Sequence, residues 1–144
     1  MILTGRYNHQ ALIKCGATFV RNEPDGNTYV EPDGLDMSNY GAFVLSVHRE
    51  SKIAETKAEA QRRIYAIVPQ WKQANLTARL GELHDKRLNG VALTSAEQNE
   101  VTAGFALWDK AKAIRAASDL IEADIKASTD PANFNVTGSP RWPV

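Results

Sequence analysis

The apolar residues of this chain change their period near residue 50, and that change limits the possible folds more than any other feature. Up to Val47 they come in short runs: Ala11-Leu12-Ile13, Thr18-Phe19-Val20, Thr28-Tyr29-Val30 and Ala42-Phe43-Val44-Leu45. Such runs, bounded by turn residues, predict strands. The tetrapeptide Glu-Pro-Asp-Gly occurs twice, at residues 23–26 and 31–34. Proline presets φ for the first corner of a turn, and Asp-Gly closes it with a side-chain hydrogen bond and a freely adopted positive φ. Two turns therefore flank one short strand, the pattern of an antiparallel β-meander. Gly16 and Gly41 are expected at a bulge or at strand ends.

From Ser51 the period becomes helical. Ile53, Ala60, Ile64 and Ile67 fall on one face, with Lys52, Glu55, Glu59, Arg62 and Arg63 on the others. Pro69 lacks a backbone donor and its ring clashes with the preceding turn, so it predicts a break and a place in the first turn of the next helix. Trp71, Leu76, Leu80 and Leu83 make the second stripe, stopping at Asn89-Gly90 in a left-handed cap. Thr94 and Glu97 have the spacing of a capping box and predict the third helix start. That helix carries Val101, Phe105 and Trp108, then Ala111, Ile114, Ile121 and Ile125, and ends before Asp130-Pro131. About thirty helical residues span roughly 45 Å, more than a compact domain needs, which leaves part of the helix to project toward a partner.

The expected class is α+β: an N-terminal antiparallel β-meander, a three-helix region and an extended C-terminal tail. The division expected is a β-rich attachment module at 1–50, helices at about 51–67, 69–89 and 95–127, and a proline-containing tail at 128–144. Helices one and two are expected to form a hairpin-like pair, and helix-to-sheet packing to bury Phe19, Val20, Phe43 and Leu45. In the tail, Phe134, Val136, Trp142 and Val144 are apolar, so its ordering requires docking on the protein's own helices or on a neighbour.

At 144 residues the chain can bury a core without staples. Lys plus Arg equals Asp plus Glu at 17 each, so no long-range field steers it toward nucleic acid or anionic lipid. One cysteine, Cys15, excludes an internal disulfide and a multi-thiolate metal site within one chain. No apolar run approaches the roughly 20 residues of a membrane span. The opening MILTGRYN has no signal-peptide pattern, so synthesis and residence in the cytosol are expected.

Catalytic chemistry finds little purchase. His9, His48 and His84 are far apart, and no metal-ligand spacing joins them. Ser46, His48 and Glu50 alternate on the expected strand end, but a triad also needs a nucleophile turn and oxyanion donors. Cys15 in an apolar run reads as small core filler. No phosphate loop occurs among the nine glycines, so no cofactor is expected. Lys52, Lys57, Arg62, Arg63, Lys72 and Arg79, with Tyr65 and Trp71 between them, form a local basic face. This face carries the alternative function, a nucleic-acid-binding module on helices one and two. Overall neutrality weighs against it. Trp71 and Trp108 lie on apolar stripes and are expected in the core. Trp142, in an irregular segment, is the better interface anchor.

Arg62-Arg63, then Pro69-Gln70-Trp71-Lys72-Gln73-Ala74-Asn75, then Leu93-Thr94-Ser95-Ala96-Glu97, then Trp108 with Lys110, Ile114-Arg115 and finally Trp142-Pro143 follow one another along the chain. This order resembles the C-terminal half of bacteriophage tail-fibre assembly chaperones and related tail-associated proteins, over about residues 55–144. The resemblance implies a non-enzymatic role, binding a tail-fibre or baseplate polypeptide as a small tail component or as an assembly chaperone. It places the chain in the host cytoplasm during assembly or in the virion tail, and makes a homo-oligomer, a trimer above all, unsurprising. Long fibres depend on non-local β pairing, which forms slowly and exposes edges, so a helper has a physical reason to exist. The contact residues expected from amphipathicity and the tail are Trp142, Phe134, Arg141, Trp108 and Arg115.

Overall fold

The computed structural model describes residues 2–24, 26–30 and 35–144. The second Glu-Pro-Asp-Gly turn, at 31–34, lies outside the described residues. The α+β class holds: a small antiparallel sheet at the N-terminal side is followed by three long helices. By contacts the chain divides into two units, one of residues 1–54 with 124–134, the other of residues 55–123 with 135–144.

In the first unit, β1 (Ile2–Gly5), α1 (His9–Lys14), β2 (Thr18–Glu23) and β3 (Gly26–Val30) follow in order. The sheet runs β1-β3-β2, both pairings antiparallel. β2 and β3 form the hairpin expected around Pro24. The third strand is Ile2–Gly5, which returns to the far side of β3, so the sheet is not a simple meander. Val20 is squeezed out between the pairs Phe19–Tyr29 and Arg21–Thr28 as a bulge.

Ala11-Leu12-Ile13 is helix, not strand, and the reason is in its flanks. Asn8 accepts a hydrogen bond from the Ala11 N–H through its side chain at 3.0 Å, capping α1. Gly16, at φ +98°, ends it: its N–H donates to Ile13 O (2.9 Å) and that of Ala17 to Leu12 O (3.2 Å). This is a Schellman stop, with Ala17 and Leu12 meeting as its apolar contact. Leu12, Ala17 and Tyr29 form the unit's buried cluster, with Leu3, Leu35, Met37 and Tyr40 around it. The expected burial of Phe19 and Val20 does not occur. β2 is a sheet edge, and they remain 38% and 50% exposed.

Ala42-Phe43-Val44-Leu45 is also helical, inside α2 (Tyr40–Ile67), so the first helix begins eleven residues earlier than residue 51. A four-residue apolar run does not distinguish strand from helix by itself. Here the Asn39 carbonyl accepts from the Phe43 N–H at 2.9 Å and opens the first turn. Phe43 and Leu45 are half-buried on it.

α2 ends at the expected proline. Val68 is buried, Pro69 is extended at the N-cap, and α3 (Gln70–Leu88) starts after it. Gly90, at φ +73°, ends α3 with a second Schellman pattern, Gly90 N–H to Arg87 O and Val91 N–H to Lys86 O, both 3.0 Å. The capping box forms as spaced: Thr94 N–H donates to Glu97 Oε2 (2.9 Å) and Glu97 N–H to Thr94 Oγ1 (3.2 Å). It opens α4 (Ser95–Ala127).

In the second unit α3 and α4 are joined at several levels. Lys86 Nζ lies 2.7 Å from Glu97, and Arg79 Nε lies 2.8 Å from Glu100. Both glutamates are held below the usual carboxylate range, first by these hydrogen bonds. Between them Gly104 is buried, and a Cβ there would stand 3.1–3.2 Å from Leu80 and Leu76 methyls. Gly104→Val is expected to destabilise the protein by about 1–2 kcal/mol despite the gain in helix propensity, because its methyls would push α3 away. A chemical denaturation midpoint at or above that of wild type would show that the leucines yield freely.

Trp71 does not join the α3 stripe and is 67% exposed. At about 100° per residue it stands about 120° around the helix from buried Leu83. Lys72 Nζ covers its ring at 5.1 Å. Buried positions on α4 in this unit are Gly104, Ala111, Ile114, Ala117, Ser118 and Ile121, whereas Phe105 is 54% exposed. No helix is long and apolar enough to cross a membrane among the described residues.

Candidate binding site

Spacings of three and four residues on α2 place Glu59, Arg62 and Arg63 together. Glu59 is only 8% exposed. Arg62 donates to it through two nitrogens, Nε to Oε2 (2.8 Å) and Nη2 to Oε1 (2.7 Å), and Arg63 Nε donates to Oε1 at 2.7 Å. These hydrogen bonds, Arg62 first, hold the Glu59 carboxyl down at about 2 against the opposing effect of its burial.

Arg63 carries the network to the 135–144 segment. Its Nη2 donates to Thr137 O at 3.2 Å, and its guanidinium carbon lies 4.9 Å from the centre of the Trp142 ring. The Trp142 indole N–H donates to Val136 O at 2.8 Å, and both residues are buried. Between them the chain turns repeatedly: Gly138 N–H to Asn135 Oδ1 (3.0 Å), Ser139 N–H to Val136 O (3.2 Å) and Arg141 N–H to Ser139 Oγ (3.3 Å). Residues 131–133 form a 3₁₀ turn. The segment expected to be extended is therefore a series of tight turns.

Two grooves, each about 380 Å³, are present in this unit. The first is lined by Ala66, Ile67, Ala113 and Ile114, by Arg62, Arg63 and Lys110, and by Pro143 and Val144. The second is mixed, with Ala60 and Ile64 beside Lys57, Gln61, Arg115, Asp119 and Glu122 among its lining residues.

The expected contact residues are thus dispersed. Trp142 is a buried anchor of its own unit, not an exposed one. Arg141 is exposed beside it, Arg115 lines the second groove, and Trp108 is half-buried on α4. Phe134 belongs to the other unit. The residues missed were Glu59 and Lys110. A glutamate followed by arginines at the third and fourth positions of a helix was the available signal for the first.

Ser46 and Glu50 do come together, but as helical neighbours, Ser46 Oγ donating to Glu50 Oε1 at 3.0 Å with Lys14 Nζ at the same distance. His48 is two residues from each on α2, on a different face, so the strand-end triad geometry does not exist. His9 is not isolated: its ring meets Phe19 at 5.2 Å, and its Nδ1 is 3.1 Å from the Tyr29 hydroxyl. Cys15 is the C-cap of α1, and burial raises its thiol pKa, with the Asp36 charge adding to this. On the basic face, Arg62 and Arg63 share Glu59, Arg79 pairs with Glu82 and Glu100, and Lys72 covers Trp71.

Comparison of this chain with protein families, curated proteins and solved structures gives no match.

Proposed function

We propose that this chain is a non-enzymatic bacteriophage tail protein that holds a tail-fibre or baseplate polypeptide, as a tail component or as an assembly chaperone. One observation supports this reading above the others. Some of the residues that carry the resemblance, though as many as 81 positions apart in sequence, meet in one place. Arg63 covers Trp142, and Arg62, Arg63, Lys110, Ile114 and Pro143 line a single groove. A ligand groove of this size accommodates one or two side chains of a bound segment. The equal numbers of basic and acidic side chains, 17 each, make the nucleic-acid alternative the weaker one, since no long-range field draws the chain toward a phosphate backbone.

The test is co-expression of the tagged chain with the fibre and baseplate polypeptides of the same phage, followed by size-exclusion chromatography. A co-eluting fibre or baseplate polypeptide is the expected result, and elution of every one apart from the chain would overturn the reading. Mass spectrometry of purified particles then separates the roles: stoichiometric presence marks a tail component, and absence a departing chaperone.

A further inference from the structure

Three cationic side chains line the apolar groove, and one carboxylate serves two of them. Glu59 binds Arg62 and Arg63 together, and Lys110 is paired with no carboxylate among the described residues. These three side chains with Glu59 therefore keep an excess of two positive charges in a lining that also holds Ala66, Ile67, Ala113 and Ile114. Both guanidinium groups bond through Nε and Nη2, which leaves each Nη1 outside the network. Because Glu59 and Trp142 already fix the arginines, an incoming acceptor meets oriented donors and loses little side-chain entropy in using them. Arginine held in this way is suited to carboxylate recognition.

We infer that the groove binds an acidic peptide segment whose carboxylates flank one or two aliphatic side chains. The apolar lining residues take the aliphatic side chains, and Arg62, Arg63 and Lys110 take the carboxylates. A basic segment would meet like charge, and a polar acidic segment would leave the apolar lining uncovered. The inference rests on the tail-fibre reading only for the source of the segment, a fibre or baseplate chain.

Fluorescence anisotropy with three labelled, blocked hexapeptides tests it: EDILDE, its basic counterpart KKILKK and its polar counterpart EDSSDE. EDILDE is expected to bind at least about tenfold more tightly than either, and to weaken as salt is raised. Lys110→Glu, an exposed change that leaves the core intact, is expected to weaken EDILDE by about tenfold or more. Equal binding of the three peptides, no binding of EDILDE, or indifference to Lys110→Glu would overturn the inference. The two readings fail separately. A wild-type chain that holds a fibre polypeptide no better than Lys110→Glu does removes the groove and leaves the tail role. A chain that binds EDILDE but no fibre or baseplate polypeptide removes the tail role and leaves the groove.

Discussion

Trp142→Ala is expected to lower the stability of the protein by about 3 kcal/mol, the scale of a large aromatic truncated in a packed site. The side chain is 7% exposed, its N–H donates to Val136 O at 2.8 Å, and Arg63 lies over its ring. Truncation removes the buried area, leaves the Val136 carbonyl with the Ser139 N–H as its remaining donor and strips Arg63 of one of its three partners. Residues 135–144 can detach rather than surround an empty space, so the loss is limited to what their docking contributes. Trp142→Phe keeps most of the ring and loses only the N–H, for a smaller cost of about 1 kcal/mol. Urea denaturation gives the size of the loss, and hydrogen exchange of residues 135–142 gives its location. An unchanged midpoint with unchanged protection would mean that the Trp142 contacts contribute nothing. A loss of partner binding in Trp142→Ala would consequently report an undocked segment, not a direct contact.

The helical half was legible because its signals are local and chemically specific. Pro69 breaks a helix wherever it falls, Gly90 takes a left-handed φ at no steric cost, and Thr94 with Glu97 caps by reciprocal hydrogen bonds. Gly90 and the Thr94–Glu97 pair stand where expected, and Pro69 makes the expected break but stands at the N-cap of α3 instead of in its first turn. The N-terminal half was less legible because short apolar runs fit strand and helix alike, and only the capping residues around them decide. Asn8 before Ala11-Leu12-Ile13 and Gly16 after them are helix punctuation. Ile2–Gly5 was missed as a strand because it is short and its partner, β3, lies more than twenty residues away.

The site was legible in identity and not in arrangement. Arg62, Arg63, Trp142 and Pro143 stand out in the sequence, but their convergence depends on how 135–144 turns back onto α2, and no local rule specifies a series of turns. A tryptophan in an irregular segment reads as an interface anchor because a buried indole contributes heavily to a contact. Here the Val136 carbonyl and Arg63 satisfy its polar edge and its face. Trp71 shows the reverse case: an apolar residue near a stripe in sequence can stand far around the helix from it, and this one is largely exposed.

Glu59→Gln is expected to cost about 2 kcal/mol at neutral pH, with a cost that shrinks as the solution is acidified. The carboxyl falls from an ordinary 4.5 to about 2 on folding. Its contribution is therefore complete above about pH 4.5 and is lost as pH falls through about 2. At about 1.4 kcal/mol per tenfold change in proton affinity, the upper bound is about 3 kcal/mol. Arg62 is 65% exposed, so solvent screening brings the value below that bound. Glutamine keeps the shape and one acceptor oxygen while removing the charge. Glu50, Glu97, Glu100 and Asp36 are also held low, so the acid slope of the wild type alone has several sources. The difference between wild type and Glu59→Gln, measured by urea denaturation from pH 7 down to pH 2, isolates this one. A difference constant across that range would mean that Glu59 contributes through packing and not through its charge. Arg63 bonds Glu59 on one side and covers Trp142 on the other, so the two substitutions share a partner and are not independent. Glu59→Gln combined with Trp142→Ala should then cost less than the sum of the two, with a coupling of about 1 kcal/mol. Strict additivity would show that Arg63 holds its place without either neighbour.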